Sequence, residues 1–327
     1  MKALAAAAAV LLAMPALAND STAETAAGGL VLTRNAAIDM VSEDLFVSAA
    51  KVRVAYVFRN RTAQDVSVTV AFPMPDRPLR VEYDRDVAWP QDFRTLVDGR
   101  PVAMRVERKA FAGERDVSAL LAGLKVPLSG KGSAEALDAL PRPEQERLLG
   151  LKVAEPEEFD GGHGMKRHLV PAWTVRETWF WNQTFPAGRD LRVEHSYTPG
   201  IGGSVGTILA SRQMRADPDA RRMIADYCVD AAFLAALDRR AAATHAAFAT
   251  LPEKRIGYVL TTGANWRAPI GRFRLVVDKG GADNLVSFCG DGIRKVSPTR
   301  FEMVKTNWRP ERDLKVLIVE PAPRSPG

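Results

Sequence analysis

The segment that decides the fold is Lys51-Val52-Arg53-Val54-Ala55-Tyr56-Val57-Phe58, in which apolar and polar side chains alternate. A period of two is typical of a β-strand with one buried face and one exposed face. A turn sequence follows at residues 60–65, and a second alternating segment runs from Val66 to Phe72, where prolines interrupt it. Two alternating segments joined by a turn predict an antiparallel hairpin.

The same pattern returns further along the chain. A second hairpin is predicted at residues 93–106, where Asp98-Gly99 separates two alternating segments. Short strands are predicted again within residues 172–197 and 255–319. We therefore predict a mainly-β fold with α insertions, made of two antiparallel β-sandwich-like domains with helical inserts.

Changes in composition and hydrophobic pattern along the sequence divide the chain into five predicted parts. They are a signal peptide (1–18), an N-terminal β-sandwich (19–110), a helical insertion and loop (111–170), a second β-rich domain (171–320) with helices at about 203–248, and a flexible tail (321–327). The loop is expected at residues 155–167. Asp217-Pro218-Asp219 predicts the start of a helix that runs to Arg239 or Arg240, because Asp is a favourable N-cap and Pro suits the first turn.

The first residues indicate export. A positive Met1-Lys2 precedes an apolar run from Ala3 to Met14, and Ala16-Leu17-Ala18 provides the small residues of a cleavage site. We predict cleavage after Ala18 and a periplasmic location. An apolar helix of the folded domain is the alternative. No later stretch of about 20 apolar residues occurs, so no transmembrane segment is predicted.

The overall composition excludes several classes of protein. Of 327 residues, 46% are hydrophobic and 26% are charged, which does not fit a disordered, collagen-like or cysteine-rich chain. The formal net charge of +6 is modest, and the basic residues are scattered rather than clustered. Nucleic acid is therefore not expected as a partner.

The chain contains two cysteines, Cys228 and Cys289. In an oxidising compartment an isolated pair predicts a disulfide bond, although two separate buried thiols are the alternative. Their spacing does not match a CxxC redox motif, and two ligands do not make a structural zinc site.

Several short segments together resemble one protein family. They include Val70-Ala71-Phe72-Pro73-Met74-Pro75, Gln183-Thr184-Phe185-Pro186, Thr261-Thr262-Gly263-Ala264-Asn265-Trp266 and Ser287-Phe288-Cys289. In these segments the chain resembles an exported bacterial family, domain of unknown function forty-four twenty-four. The resemblance implies export and a common two-part fold, and it implies no reaction, cofactor or catalytic residue.

An aromatic group within residues 173–183 is the main candidate for ligand binding. Tryptophans beside amides can stack on sugar rings or aromatic ligands. The predicted ligand-binding residues are Trp173, Trp179, Trp181, Gln183 and Trp266. In a strand, Trp179 and Trp181 share one face with Glu177 and Gln183. The alternative is that these rings fill the core of a sandwich.

Two patterns could support hydrolysis. Gly202-Gly203-Ser204-Val205-Gly206 matches GxSxG, but Pro199-Gly200 separates it from the preceding strand, and His245 is the downstream base. Glu177 and Glu194 could form a carboxylate pair for glycoside cleavage. Neither pattern forms a coherent catalytic set, so no catalytic residue is predicted.

A metal site could use His163, His168 and His195, with Asp160 as a fourth ligand. Two histidines five residues apart in a glycine-rich loop do not define a metal geometry. No metal and no cofactor are predicted.

These observations predict an exported periplasmic protein that acts as a non-enzymatic binding or interaction protein of the cell envelope. Its partner would be an envelope protein or an extended ligand. The alternative is a periplasmic hydrolase acting on envelope glycan or ester substrates.

Overall fold

The computed structural model describes residues 21–26, 29–79, 90–128, 132–160, 164–243 and 251–322. The predicted signal peptide, its cleavage site and residues 323–327 of the predicted tail lie outside this part of the chain. Within it, none of the helices is both long and apolar enough to cross a membrane.

Strands make up most of the regular structure. In chain order they are β1 (Ser21–Ala26), β2 (Gly29–Thr33), β3 (Ile38–Ser48), β4 (Val52–Asn60), β5 (Val66–Pro73), β6 (Arg77–Pro78), β7 (Gln91–Val97), β8 (Arg100–Val102), β9 (Arg105–Ala112), β10 (Arg115–Asp116), β11 (Ala154–Asp160), β12 (Met165–Pro171), β13 (Thr174–Phe185), β14 (Asp190–Thr198), β15 (Gly202–Ser204), β16 (Glu253–Tyr258), β17 (Ile270–Asp278), β18 (Leu285–Phe288), β19 (Arg294–Lys295), β20 (Arg300–Trp308) and β21 (Leu314–Val319). The α-helices are α1 (Ser118–Gly123), α2 (Ser133–Asp138), α3 (Arg142–Gly150), α4 (Pro218–Asp226) and α5 (Ala231–Ala243). Short 3₁₀ helices occur at Ile208–Ala210, Met214–Ala216 and Thr261–Asn265. The predicted mainly-β fold with helical inserts is confirmed.

Within the described residues the strands form four sheets. Sheet A has the order β10-β9-β13-β5-β1-β2, with β6 beside β13, and sheet B has the order β19-β20-β17-β3-β4-β14-β7-β8. Sheet C pairs β11 with β12, and sheet D has the order β15-β16-β21-β18. The β3 strand of the first predicted domain and the β17 strand of the second pair in parallel, so sheet B combines strands from both predicted domains. The division into two domains stays a prediction.

The first predicted hairpin is wrong, because the turn at residues 61–65 carries the chain from one sheet to the other. The β4 strand pairs with β3 and β14 in sheet B, and β5 pairs with β1 and β13 in sheet A. The second hairpin is confirmed for β7 and β8, whereas residues 105–106 belong to β9 of sheet A. Val52, Val54, Tyr56 and Phe58 on β4 are all fully buried, as the alternation requires. Asp98 and Gly99 have φ angles of 47° and 77°, and Val97 pairs with Arg100 across them. Two successive left-handed residues make the turn whose twist suits a hairpin, which is why Asp-Gly is favourable there.

A central core lies between sheets A, B and D. It contains Phe58 of sheet B, Phe72 and Trp181 of sheet A, and Tyr258 and Val316 of sheet D. Smaller apolar clusters lie under α1–α3 and under α4–α5. The packing of the sheet D strands against the ends of β5 and β14 creates the site described below.

Residues 154–171 differ from the predicted loop, because they form the hairpin of β11 and β12. Its register places Glu157 opposite His168 and Glu158 opposite Arg167. A cross-strand pair of opposite charge such as Glu158 and Arg167 stabilises such a ladder, even though charged and glycine-rich sequences resemble loops.

The helix that starts at Asp217 also differs from its prediction. The Asp217 carboxylate accepts a hydrogen bond from the Asp219 N–H at 2.8 Å and Pro218 occupies the first turn, as expected. The helix ends at Asp226, because Cys228 adopts a left-handed φ of 51°. A second helix, α5, then begins, and the Asp230 carboxylate accepts from the Phe233 N–H at 2.7 Å. Residues 244–248 of the predicted helical region lie outside the described part.

Candidate functional site

Three of the predicted ligand-binding tryptophans lie inside the protein. Trp173, Trp181 and Trp266 are 0%, 3% and 2% exposed. The indole of Trp173 donates to the Leu128 carbonyl at 2.8 Å, and the Trp266 ring lies 4.6 Å from that of Phe58. Protein side chains therefore occupy the space around these rings, which is the core packing that the sequence left as an alternative.

The other two predicted residues are half-buried. Trp179 stacks on Phe93 with ring centroids 4.7 Å apart, and its indole N–H donates to Glu177 at 2.8 Å. Gln183 accepts from the Trp181 indole N–H at 3.1 Å. The shared face of Glu177, Trp179, Trp181 and Gln183 is thus as predicted. A ligand role for the five residues stays a prediction, and none of them lines the pocket described below.

The two candidate carboxylates lie in different sheets. Glu177 on β13 is 1% exposed and pairs with the Nε of Arg108 at 2.6 Å. Glu194 on β14 pairs with the Nε of Arg192 at 2.7 Å. Each carboxylate is neutralised by its own arginine, so the structure does not bring them together as an acid and base.

Ser204 ends strand β15, and its hydroxyl donates to the Gly206 carbonyl at 2.7 Å. The proposed base His245 lies outside the described residues. Gly203 explains part of the glycine motif, because a Cβ there would come within 2.2 Å of the Glu253 carbonyl oxygen. The glycine therefore allows β15 to pair with β16.

The candidate metal ligands are also dispersed. The His168 Nδ1 lies 2.7 Å from an Asp138 carboxylate oxygen, whereas the His195 Nδ1 lies 2.9 Å from the Thr95 hydroxyl in the core. Asp160 accepts from the Gly164 N–H, and His163 lies outside the described residues. In the described part of the chain, no group of three or more His, Cys, Asp or Glu residues could hold a metal ion.

The predicted disulfide is confirmed. It joins Cys228 to Cys289 with their Cα atoms 5.1 Å apart and connects the end of α4 to the end of β18. The Arg312 guanidinium lies 3.5 Å from the Cys289 sulfur. The Ser287 hydroxyl donates to the carbonyl of Tyr227 at 2.9 Å, so the residue before Cys228 is also held against β18.

A cavity of about 260 Å³, which we call the junction pocket, lies where strand ends of sheets A, B and D meet, and Tyr227, the residue before Cys228, forms part of its wall. Its apolar wall includes Met74, Pro75, Pro78, Pro90, Pro199 and Ile256. Its polar side chains are those of Asp76, Arg77, Tyr197, Tyr227, Arg255 and Lys315.

The local sequence explains how these elements approach one another. Prolines follow β5 and β14 and end both strands, because proline cannot donate to a sheet ladder. A Cβ at Gly257 would lie 3.3 Å from the Pro75 ring, so glycine lets sheet D pack closely against the end of β5. The pocket is the space left where these strands stop.

Tyr197 is the most enclosed polar side chain of the pocket, at 4% exposed. Its ring stacks on Phe93, with centroids 5.4 Å apart. Burial raises the pKa of the Tyr197 hydroxyl, so the hydroxyl stays protonated. Among the described residues, none hydrogen-bonds to this hydroxyl.

Arg255 is the second polar group of interest. Its Nε lies 3.4 Å from a carboxylate oxygen of Glu253, and this buried nitrogen has no hydrogen bond to the described residues. Glu253 is 7% exposed, and burial raises the pKa of its carboxyl group despite the nearby guanidinium. A carboxyl group that resists ionisation compensates the Arg255 charge poorly.

The remaining charged side chains of the pocket have partners outside its wall. Lys315 pairs with Asp226 at 2.7 Å, and Asp76 pairs with Arg176 at 3.1 Å. Burial raises the pKa of Asp76, and the charge of Arg176 opposes that effect. With Arg77 included, three cationic side chains and one carboxylate line the cavity.

Sequence reasoning missed this pocket, because its wall comes from six separate segments between Met74 and Lys315. No local spacing connects them. The prolines and glycines that end the strands were the available indication.

Comparison with known proteins places these features in context. The model of the family described as "Domain of unknown function (DUF4424)" matches residues 18–317. The chain is also similar to a crystal structure described as a "putative nutrient binding protein" from Legionella pneumophila subsp. pneumophila str. Philadelphia 1. That similarity has 15% identity and a TM-score of 0.43 and covers 92% of this chain and 70% of that chain. No match is found among the curated proteins.

Proposed function

We propose that this chain, which belongs to the DUF4424 family of unknown function, is an exported, non-enzymatic binding protein of the cell envelope whose junction pocket holds a small molecule.

The observation that carries the proposal is the pair of unsatisfied donors at the wall of an apolar cavity. The Tyr197 hydroxyl and the Arg255 Nε have no hydrogen bond to the described residues. The Arg255 Nε is a buried atom, and a buried polar group without a partner costs about 1–3 kcal/mol, which a ligand can recover by accepting its hydrogen bond. Small-molecule sites typically combine apolar walls with a few converging polar groups.

Export is supported by two independent features. Residues 1–18 have the pattern of a cleaved signal peptide. The Cys228–Cys289 bond is of the kind that persists in oxidising compartments.

A hydrolase receives less support from the same molecule. The hydroxyl of Ser204 is committed to the Gly206 carbonyl, and Glu177 and Glu194 are each paired with an arginine in separate sheets. A nucleophile or acid–base pair needs groups within hydrogen-bond reach of each other.

The test is mass spectrometry of the protein secreted with its own N-terminal residues and purified from a bacterial periplasm. A denaturing spectrum should give a chain that begins at Asn19 and gains about two mass units on reduction. A native spectrum should show an additional small molecule that organic solvent removes. A full-length mass would contradict export.

A variant and its control locate the molecule. Lys315→Trp places an indole at an exposed position of the pocket wall, whereas Lys295→Trp makes the same change on the edge strand β19, away from the pocket. The adduct should disappear in the first variant only. A native spectrum of the wild type that shows no bound molecule, or an adduct that remains in Lys315→Trp, would count against the proposal.

A further inference from the structure

We infer that the molecule held in the junction pocket is a small carboxylate with an apolar body, whose carboxylate group is bound by the Arg255 guanidinium and the Tyr197 hydroxyl. This inference rests on the proposed function, since it names the ligand class of the same pocket.

The first argument is the geometry of the Arg255 guanidinium. Its closest carboxylate contact, to Glu253 at 3.4 Å, lies beyond the usual 2.7–3.2 Å of an N–H···O hydrogen bond. A guanidinium presents planar, forked donors that match the two oxygens of a carboxylate. A ligand carboxylate can therefore make hydrogen bonds that the Glu253 side chain does not make.

The second argument is the fixed position of the Tyr197 hydroxyl. The ring stacks on Phe93, and Phe72 meets it edge-on with centroids 6.1 Å apart. Because these contacts hold the ring in place before a ligand binds, binding to the hydroxyl loses little side-chain conformational entropy. Burial keeps it protonated, so it serves as a second donor in the wall of the same pocket. Two donors call for a ligand group that accepts.

The third argument is the local charge. Arg77, Arg255 and Lys315 line the cavity with Asp76 as the single carboxylate in its wall. Arg176 opposes the charge of Asp76, and Asp226 opposes that of Lys315. Beside Arg255, burial raises the pKa of the Glu253 carboxyl group, so that the guanidinium charge is poorly compensated. This balance attracts an anion and disfavours an amine.

The fourth argument is the shape and chemistry of the remaining wall. Pro75, Pro78, Pro199 and Ile256 offer no hydrogen bond from their side chains, so they favour an apolar ligand body. The volume of about 260 Å³ is just below the roughly 300–1,000 Å³ of pockets for drug-sized ligands. A bare inorganic anion would leave the apolar wall unfilled, and an extended glycan chain would not fit.

The test compares two probes that differ in charge and hardly in shape. The binding of 4-fluorobenzoate and of the neutral 4-fluorobenzamide to the mature chain is titrated by ¹⁹F NMR line broadening. We expect the benzoate to bind at least about tenfold more tightly, because a charge-assisted bidentate bond is stronger than a neutral one.

Four variants separate the contributions. Arg255→Gln should weaken benzoate binding about tenfold and leave benzamide binding unchanged. Tyr197→Phe, which removes only the hydroxyl, should weaken benzoate binding about fivefold. The control Arg221→Gln, at an exposed position of α4, should change neither. Near-ultraviolet circular dichroism confirms that each variant folds, and Arg255→Lys provides a variant that keeps the charge.

Each negative outcome has its own meaning. Equal binding of the two probes, or full benzoate affinity in Arg255→Gln, overturns the carboxylate inference and leaves the proposed function intact. If neither probe binds while the native mass shows an adduct, only the ligand class is wrong. If neither probe binds and the native mass is bare, the inference fails together with the proposed function.

Discussion

Removal of the Cys228–Cys289 bond should lower the free energy of unfolding by about 4 kcal/mol. The two residues are 61 positions apart, and the chain-entropy relation for a closed loop of that length gives about 4 kcal/mol at 25 °C. The cause is that the bond removes conformations from the unfolded chain rather than adding contacts to the folded one. The folded protein should survive the loss, because domains are typically stable by about 5–15 kcal/mol.

The assay is urea denaturation of three samples: the oxidised wild type, the chemically reduced wild type and the double variant Cys228→Ser/Cys289→Ser. The reduced protein and the double variant should agree with each other. A loss below about 1 kcal/mol in both would refute the loop-entropy reasoning, because the unfolded chain would then be restricted without the bond. Since Tyr227 lines the pocket immediately before Cys228, both samples should also bind 4-fluorobenzoate more weakly.

Three further predictions concern packing, ionisation and close approach. Trp181→Ala should lower the free energy of unfolding in urea by about 3–5 kcal/mol, because the Trp181 ring fills the core, and should leave the affinity for 4-fluorobenzoate unchanged. A loss of binding without a loss of stability would instead favour a ligand contact. Burial raises the pKa of the Glu253 carboxyl group in the folded protein. A carboxyl group whose folded-state pKa is raised stabilises the protein at a pH below its unfolded-state pKa, and this stabilisation is lost as the pH rises through the folded-state pKa. The stability of Glu253→Gln relative to the wild type should therefore be greater at pH 7 than at pH 4, and an equal difference at the two pH values would contradict this. Gly203→Ala should lower the melting temperature, because the new Cβ would lie 2.2 Å from the Glu253 carbonyl oxygen. The control Gly123→Ala should not lower it, because the space around that Cβ is open. Equal melting temperatures of the two variants would exclude the clash.

Much of the fold is readable in local patterns. The alternation from Val52 to Phe58 predicts which side chains are buried, because a strand's side-chain period is independent of distant residues. Asp98-Gly99 predicts its turn for a similar reason, since left-handed backbone is a property of those residue types. The Cys228–Cys289 bond followed from counting the cysteines of a chain with a predicted signal peptide.

Other features depended on contacts that local patterns do not contain. The charges of residues 155–167 resemble a loop, yet their pairing across β11 and β12 makes a hairpin. The helix from Asp217 was predicted to continue, yet Cys228 turns the chain at the position where the disulfide ties it to β18.

The candidate site shows the same division most clearly. The sequence by itself determined that Trp179 and Trp181 share a strand face with Glu177 and Gln183, because side chains alternate along a strand. Only the tertiary structure decided that Trp181 lies in the core, since that depends on which sheet covers the face. It also decided that Tyr197 and Arg255 line the same cavity. They are distant in sequence and on different sheets, and only the packing of strand ends brings both to the wall of one cavity.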